Sequence, residues 1–416
     1  MSKEQKPGPD PKRQRVDEDV VDNGSDEEVE RRSRGGGGSQ SAGTIQVIQP
    51  VFPELPREIS NHIFSFLGVG TLLQKQTVSK TFQKHCHKAI EAKKKLSKNL
   101  HPGVFTSGKE LRSAVRKYSK CKYIKYEDQL AEEVAREYGW VMNDWDVSLV
   151  TDFSETFAGY FDFNEDISDW DVGNGTSFKS MFSFCKVFNG NLSKWNVSAN
   201  AIDMSYMFRG CMAFNSDLSK WSVSNVTDMS DMFVECSTFD SDLSKWNVSN
   251  VTDMHRMFTL CSAFNGDLSK WNVSNAIDMS CMFQCCRAFN GDLSKWNVSN
   301  VTDMSHMFES ASSFNGDLSK WNVSNVTAMP CMFDKASSFN GDLSKWNVSN
   351  VANMQFLFDS ASSFNGDLSR WNVSNVTRLH GMFCDATSFD QDVSSWGGAW
   401  NLAKENNFRD VYEYFD

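Results

Sequence analysis

The sequence lacks any apolar run approaching the roughly 18–20 residues that a membrane-crossing helix needs, so no membrane span is expected. Its opening stretch, Met1 to Val21, has no apolar core of the signal-peptide kind, and no secretory signal is expected. The 11 cysteines are odd in number and form no close-spaced framework, which fits reduced thiols better than a disulfide scaffold. No nucleophile–base–orienter set is visible, and no phosphate loop occurs. His255, His306 and His380 are scattered beside variable positions. The chain is therefore expected to be no enzyme, with no cofactor and no metal ligand set. A net charge of −11 argues against a general nucleic-acid coat.

What charge there is sits unevenly. Residues 1–144 carry 25 basic and 20 acidic side chains, giving +5, whereas 145–416 carry 17 and 33, giving −16. Within the first part, residues 80–125 hold 14 Lys/Arg against Glu91 and Glu110, a neck of +12. A solvated helix face explains such a run, and an acidic partner or a nucleic-acid contact is the sharper alternative. No aromatic interleaving of the base-stacking kind accompanies it.

Residues 1–44 are Pro, Gly, Ser and charge, too poor in apolar area to offset ordering entropy, and are expected to be a disordered tail. Lys12-Arg13-Gln14-Arg15 has the look of a short nuclear-import cluster, so a nuclear or cytoplasmic location is expected. From residue 50 the pattern changes. Pro56 can open a helix whose apolar face is Ile59, Ile63, Phe66 and Leu67; Gly68 and Gly70 end it. A second short helix carries Leu72 and Leu73, and a third Val78 and Phe82. A piece this small needs a partner or neighbour to cover its apolar surface.

That stretch, 50–92, resembles the F-box. The matching pattern is Leu55-Pro56, Glu58-Ile59, Ile63-Phe64, Phe66-Leu67, Leu72-Leu73 and Val78-Ser79-Lys80, with Phe82 at an aromatic site. Gln76 and Thr77 depart from the small or apolar residues usual before Val-Ser. The resemblance implies docking, through Leu55, Pro56, Ile59, Ile63, Phe66, Leu67, Leu72, Leu73 and Val78, on a Skp-family adaptor in a cullin-RING ubiquitin ligase complex. The alternative is a small helical cap.

From Trp145 the chain repeats. Tryptophans fall at 145, 170, 195, 221, 246, 271, 296, 321, 346, 371 and 396, in steps of 25 with a single 26. A fixed period of this length predicts a solenoid, with ten units over 145–395. In each unit Leu268, Trp271 and Val273 exemplify a short extended segment. Met279, Met282, Phe283 and Cys286 follow helical spacing, and Asn290-Gly291 makes a turn. The predicted fold is thus an α/β solenoid of leucine-rich-repeat type, with short strands and one helical turn per coil. Segment 93–144 is expected to supply the basic neck and N-terminal cap helices, and 396–416 a C-terminal cap, with an amphipathic helix from Asn401 to Phe415.

The recurring Trp246-Asn247-Val248-Ser249-Asn250-Val251-Thr252-Asp253-Met254 and Met257-Phe258 strings resemble the BspA-like leucine-rich-repeat family, of the mycoplasma type. Leu111-Arg112-Ser113-Ala114-Val115 and Tyr138-Gly139-Trp140 resemble the segment that precedes such arrays. Bacterial members are commonly surface or adhesion proteins, a role for which this chain shows no signal or anchor.

Three columns invite chemistry. Cys185, Cys211, Cys236, Cys261 and Cys286 share one position with Ala311, Ala336, Ala361 and Ala386, which marks a small core slot rather than a metal ladder. Asp267, Asp292, Asp317, Asp342 and Asp367 stack, each followed three residues later by Lys or Arg; turn chemistry with ion pairing explains them without a metal, and a calcium-holding column is the alternative. Twelve Asn-Val-Ser/Thr sequons would crowd if glycosylated, which favours an intracellular home and hydrogen-bonded Asn columns.

The informative variation lies before Met-Phe: Tyr206, Asp231, Arg256, Cys281, His306, Cys331 and Phe356, then Gly381. The pair after Met-Phe varies too. Stacking projects these into stripes expected to hold an unknown protein target. The resulting expectation is a substrate-recognition subunit of an SCF-type ubiquitin ligase. The alternative is a ligase-independent interaction scaffold or adhesion-type solenoid.

Overall fold

The computed structural model describes residues 103–123, 134, 137–139 and 141–404. The expected tail (1–44), the F-box-like segment (50–92) and most of the basic neck lie outside the described residues.

Ser107-Gly108-Lys109-Glu110 opens helix α1, Gly108–Tyr123. The Ser107 hydroxyl accepts the Glu110 amide at 3.3 Å, and Glu110 Oε2 reaches back to the Thr106 amide at 2.8 Å, so two orphan donors are satisfied reciprocally. Its inner face, Leu111, Ala114 and Val115, is buried at the spacing of one helical stripe. Arg112 fastens α1 to the first coil, donating to the Ser154 carbonyl at 2.7 Å and to Asp152 at 3.1 Å. Phe105 stacks on Tyr138 with centroids 3.8 Å apart and tilts against Trp145, closing the start of the stack.

Beyond Trp145 the chain winds as stacked rungs, held in register by a column of parallel bridges from Asp152↔Ser177 to Asn353↔Arg378. Three aromatic columns fill the inside. Trp271 lies 6.4 Å from Trp296, Phe258 5.7 Å from Phe283, and Phe264 6.0 Å from Phe289, all nearly parallel. From Trp170 on, each stacked indole also donates its N–H to a carbonyl 28 or 29 residues earlier, as Trp271 does to Leu243 at 3.0 Å. Burying a polar N–H this deeply is tolerable only because it is partnered. The extra residue near Ala199 falls at an exposed turn, and Trp195 still stacks on Trp221 at 6.2 Å.

The helical turn expected in each coil is absent; consecutive tight turns replace it. In one rung the amides of Met254, Arg256, Phe258 and Leu260 donate to Asp278, Ser280, Met282 and Gln284 of the next. The intervening amides of Met257, Thr259 and Cys261 close four-residue turns on the carbonyls of Met254, Arg256 and Phe258. A helix would spend every amide within its own rung. Here half of them run along the stack, which is what welds neighbouring coils. Extended strands are equally short: the inter-rung pairing is carried by single bridges and these turn amides.

At the far end a 3-10 turn at Ser394–Trp396 leads into α2, Ala399–Lys404. The expected capping helix thus begins two residues before Asn401, and its stretch beyond 404 lies outside the described residues.

Candidate functional site

Two positions in every coil have left-handed backbone. One is the slot before Met-Phe, from Glu155 (φ 56°) through Arg256 (55°) to Phe356 (54°) and Gly381 (62°). The other lies four residues on, from Gly159 (78°) through Leu260 (63°) to Asp385 (51°). Left-handed backbone brings Cβ close to the following carbonyl, at a cost of roughly 1–2 kcal/mol for non-glycine residues. Over ten coils these twenty positions hold three glycines and seventeen other residues, none of them Val, Ile or Thr. Side-chain identity varies freely, yet β-branching, which crowds this backbone most, is excluded. Both phenylalanines in these columns lie over a glycine of the next rung: Phe184 over Gly210 and Phe356 over Gly381, so close that an added Cβ would meet the ring at 2.7 and 2.4 Å.

The predicted stripe is therefore a real column, and it is unevenly accessible. Arg256 is exposed, and Tyr206, His306 and Phe356 are half-buried. Asp231, Cys281 and Cys331 are buried, at 2 %, 8 % and 7 % exposure, and offer little to a partner. More of the surface comes from the second left-handed column and its flanks, where Phe184 and Leu260 are exposed together with Phe161, Val187 and Met212.

The face changes character along the stack. Its early rungs mix rings and cations: Lys186 sits 5.2 Å over Phe161, Lys179 5.8 Å over Tyr206, and Arg209 5.6 Å from both Phe184 and Tyr206. Each such pair is worth about 0.5–1 kcal/mol when exposed. Arg209 also lies 3.6 Å from the enclosed Asp231, whose pKa burial raises. Its later rungs stack acids. Gln284 donates to Glu309 at 2.7 Å, and His306 Nδ1 meets the same carboxylate at 2.7 Å. Burial and His306 oppose each other on Glu309, and the net pKa is lowered. One rung further, burial next to Asp359 and Glu309 pushes Asp334 up to about 7 against the pull of Lys335. Beyond it, the donor atoms of Asp359, Cys384 and Asp385 lie within 4.8 Å of one another, the group among the described residues able to converge on a metal ion. Neither the cation–ring cluster nor this group was visible in the sequence, because both draw on positions whose meeting depends on the left-handed turns.

The remaining columns are structural. Each thiol of the cysteine ladder is buried and donates to a phenylalanine carbonyl of the previous rung, as Cys236 does to Phe208 at 3.0 Å. Burial pushes Cys236 and Cys261 far above the ordinary thiol range. The stacked aspartates cap their own turns: Asp267 Oδ1 accepts the Ser269 amide at 2.9 Å, and the Ser269 side chain first, then this amide, lower its pKa. The expected ion pair to the following lysine is not among those the described residues form; Lys270 acts on Asp267 only through its field. Asn columns bond along the stack as expected, Asn275 to the Ser249 carbonyl at 2.7 Å and the Asn290 amide to Asn265 Oδ1 at 2.9 Å. No helix among the described residues is long and apolar enough to cross a membrane.

Comparison with curated proteins finds no match to this chain. The family model described as mycoplasma protein of unknown function, DUF285, matches three times, over residues 128–239, 202–321 and 304–414. Those matches span the tryptophan-stacked rungs and their flanks, well over half of the sequence, and their overlap reflects the 25-residue period. The chain belongs to the DUF285 repeat family, the BspA-like type.

Proposed function

We propose that this chain is a non-enzymatic recognition protein whose left-handed face holds a protein target. The observation that carries this reading is a contrast along the array: two left-handed positions recur in every coil and hold seventeen varied non-glycine side chains over the ten coils, beside recurring buried aromatic columns. A fixed scaffold presenting varied side chains in parallel stripes is what recognition of an extended partner needs. At the other end, the F-box-like motif from Leu55-Pro56 to Val78 supports docking on a Skp-family adaptor. The chain then acts as a substrate-recognition subunit of a cullin-RING ubiquitin ligase in the nucleus or cytoplasm, by raising the target's effective concentration at a separate catalytic subunit.

Calorimetry of the full chain with a purified Skp-family adaptor tests this directly. Tight association, lost in a Leu55→Ala/Pro56→Ala variant that leaves the solenoid's near-ultraviolet spectrum unchanged, is the expected result. Absence of association with the parent chain removes the ligase role. A ligase-independent interaction or surface scaffold is the second reading. It is favoured by membership in a repeat family whose matched residues, 128–414, leave out the F-box-like segment.

A further inference from the structure

We propose that the first three rungs of the left-handed face carry a docking patch for an acidic, apolar segment of a partner protein, bound in extended form. This deepens the recognition role proposed above and rests on it. The patch lies where the chain departs from its own repeat. Four residues after the phenylalanine of Met-Phe, later rungs carry Ser237, Ser262, Ser312, Ser337, Ser362 and Thr387, with Arg287 the exception. The equivalent residues of the first three rungs are Phe161, Lys186 and Met212, and Val187 follows Lys186. Phe161, Val187 and Met212 are 57 %, 47 % and 42 % exposed. A slot that folds with serine elsewhere in the same stack does not need a large apolar side chain for its core, so this exposed cluster marks an interaction surface. It is also contiguous. Lys186 sits 5.2 Å over Phe161, and the Ala213 amide donates to the Lys186 carbonyl at 3.2 Å, which sets Met212 beside it on the next rung.

Arg209 supplies a second observation, and it points to a carboxylate. Its guanidinium is held 5.6 Å from both the Phe184 and Tyr206 rings. Among the described residues it forms no hydrogen bond: Nε is enclosed without a partner, and Asp231 at 3.6 Å is beyond hydrogen-bond reach. A guanidinium fixed against two rings with its donors unspent is arranged to take a carboxylate through two parallel N–H bonds. Lys179 and Lys186 lie over rings and form no ion pair among the described residues. Charge sets the direction along the face. Segments 154–162, 179–187 and 205–213 hold these three cations against Glu155 and Asp162. The equivalent last segments, 330–338, 355–363 and 380–388, hold Asp334, Asp359 and Asp385 against Lys335. An acidic segment is thus drawn to the first rungs and repelled from the last. Core rings stack 5.4 and 5.5 Å from rung to rung here, so three or four extended residues, at about 3.3 Å each, cross the patch. The −16 charge of residues 145–416 disfavours an anionic lipid surface as the occupant.

Fluorescence anisotropy of the full chain with a fluorescein-labelled nonapeptide that alternates Glu with Leu and Phe tests the patch. Binding should saturate, and should weaken at least about tenfold when Gln replaces every Glu of the peptide. Arg209→Gln should weaken it by a similar factor of about ten. Phe161→Ser and Lys186→Gln, at exposed positions that leave the near-ultraviolet tryptophan spectrum unchanged, should each weaken it at least about threefold. Leu260→Ser, exposed but two rungs beyond the patch, should not. No saturation with the parent chain, equal affinity for the Gln peptide, or parent-like affinity in both Phe161→Ser and Lys186→Gln overturns the proposal. Phosphatidylserine vesicles bound in place of the peptide, or self-association that Phe161→Ser abolishes, also overturn it, by assigning the patch to a membrane or to a second copy. Adaptor association is read in a separate titration, so a patch that fails here and a ligase role that fails there are told apart.

Discussion

At the scale of single residues, the left-handed slots set the rule: any side chain is admitted provided Cβ carries one heavy branch or none. Arg256, exposed at φ 55°, isolates the backbone effect from burial. Arg256→Gly should leave stability unchanged or raise it by up to about 1 kcal/mol, while Arg256→Val should lower it by about 1–2 kcal/mol. Urea unfolding of the two variants measures the difference; equal midpoints would contradict the strain argument. Gly210 adds a steric test, since its φ is 71° and a Cβ there meets the Phe184 ring at 2.7 Å. Gly210→Ala should destabilise, and Phe184→Ala in the same chain should recover part of the loss, the coupling expected of touching residues.

At the scale of one coil, tryptophan spacing, the small Cys/Ala slot and the Asn columns were all legible, because side-chain burial and period are written directly in residue type. The helical turn was misread for a physical reason. Met279, Met282, Phe283 and Cys286 point inward whether the segment is a helix or a chain of tight turns. Periodicity reports which side chains face the core and is silent on where the amides go. The missing signal was present as an absence: no Val, Ile or Thr at Arg256-type or Leu260-type positions in any coil. The candidate site was half legible for the same reason. Variation identified the column, but burial of Asp231, Cys281 and Cys331 depends on neighbouring rungs. The coil also predicts unequal costs for core changes. Cys236→Ala reproduces a residue the repeat already uses and loses one weak thiol–carbonyl bond, so it should cost no more than about 1 kcal/mol. Phe258→Ala opens a gap between two stacked rings and should cost about 3–5 kcal/mol. Comparable losses in the two variants would refute the assignment of the thiol ladder to packing.

Across the whole array, two sets of aspartates oppose each other in pH. The turn-capping set, including Asp217, Asp242, Asp267, Asp292, Asp317 and Asp342, has lowered pKa values through bonds to the serine two residues on. A lowered folded pKa gives stability that is present above the ordinary value of 3.8 and lost as pH falls through the folded one. The enclosed set is raised by burial: Asp231 near Arg209, His255, Arg256 and Asp228, Asp253 between Asp228 and Asp278, and Asp334 among Glu309, Asp359 and Lys335. These bind more protons folded than unfolded, so stability falls as pH rises from 3.8 through the raised values, up to about 7 for Asp334. The melting temperature should therefore peak in mildly acidic solution, above 3.8 and below 7, rather than near neutrality. Asp334→Asn should flatten the limb on the alkaline side of that peak and leave the acid limb unchanged. Asn at Asp267 and Asp292, which keeps the turn bond but cannot ionise, should make the acid limb shallower and leave the alkaline one alone. A melting profile in which either substitution moves the opposite limb would break the link between these carboxylates and the stability of the stack.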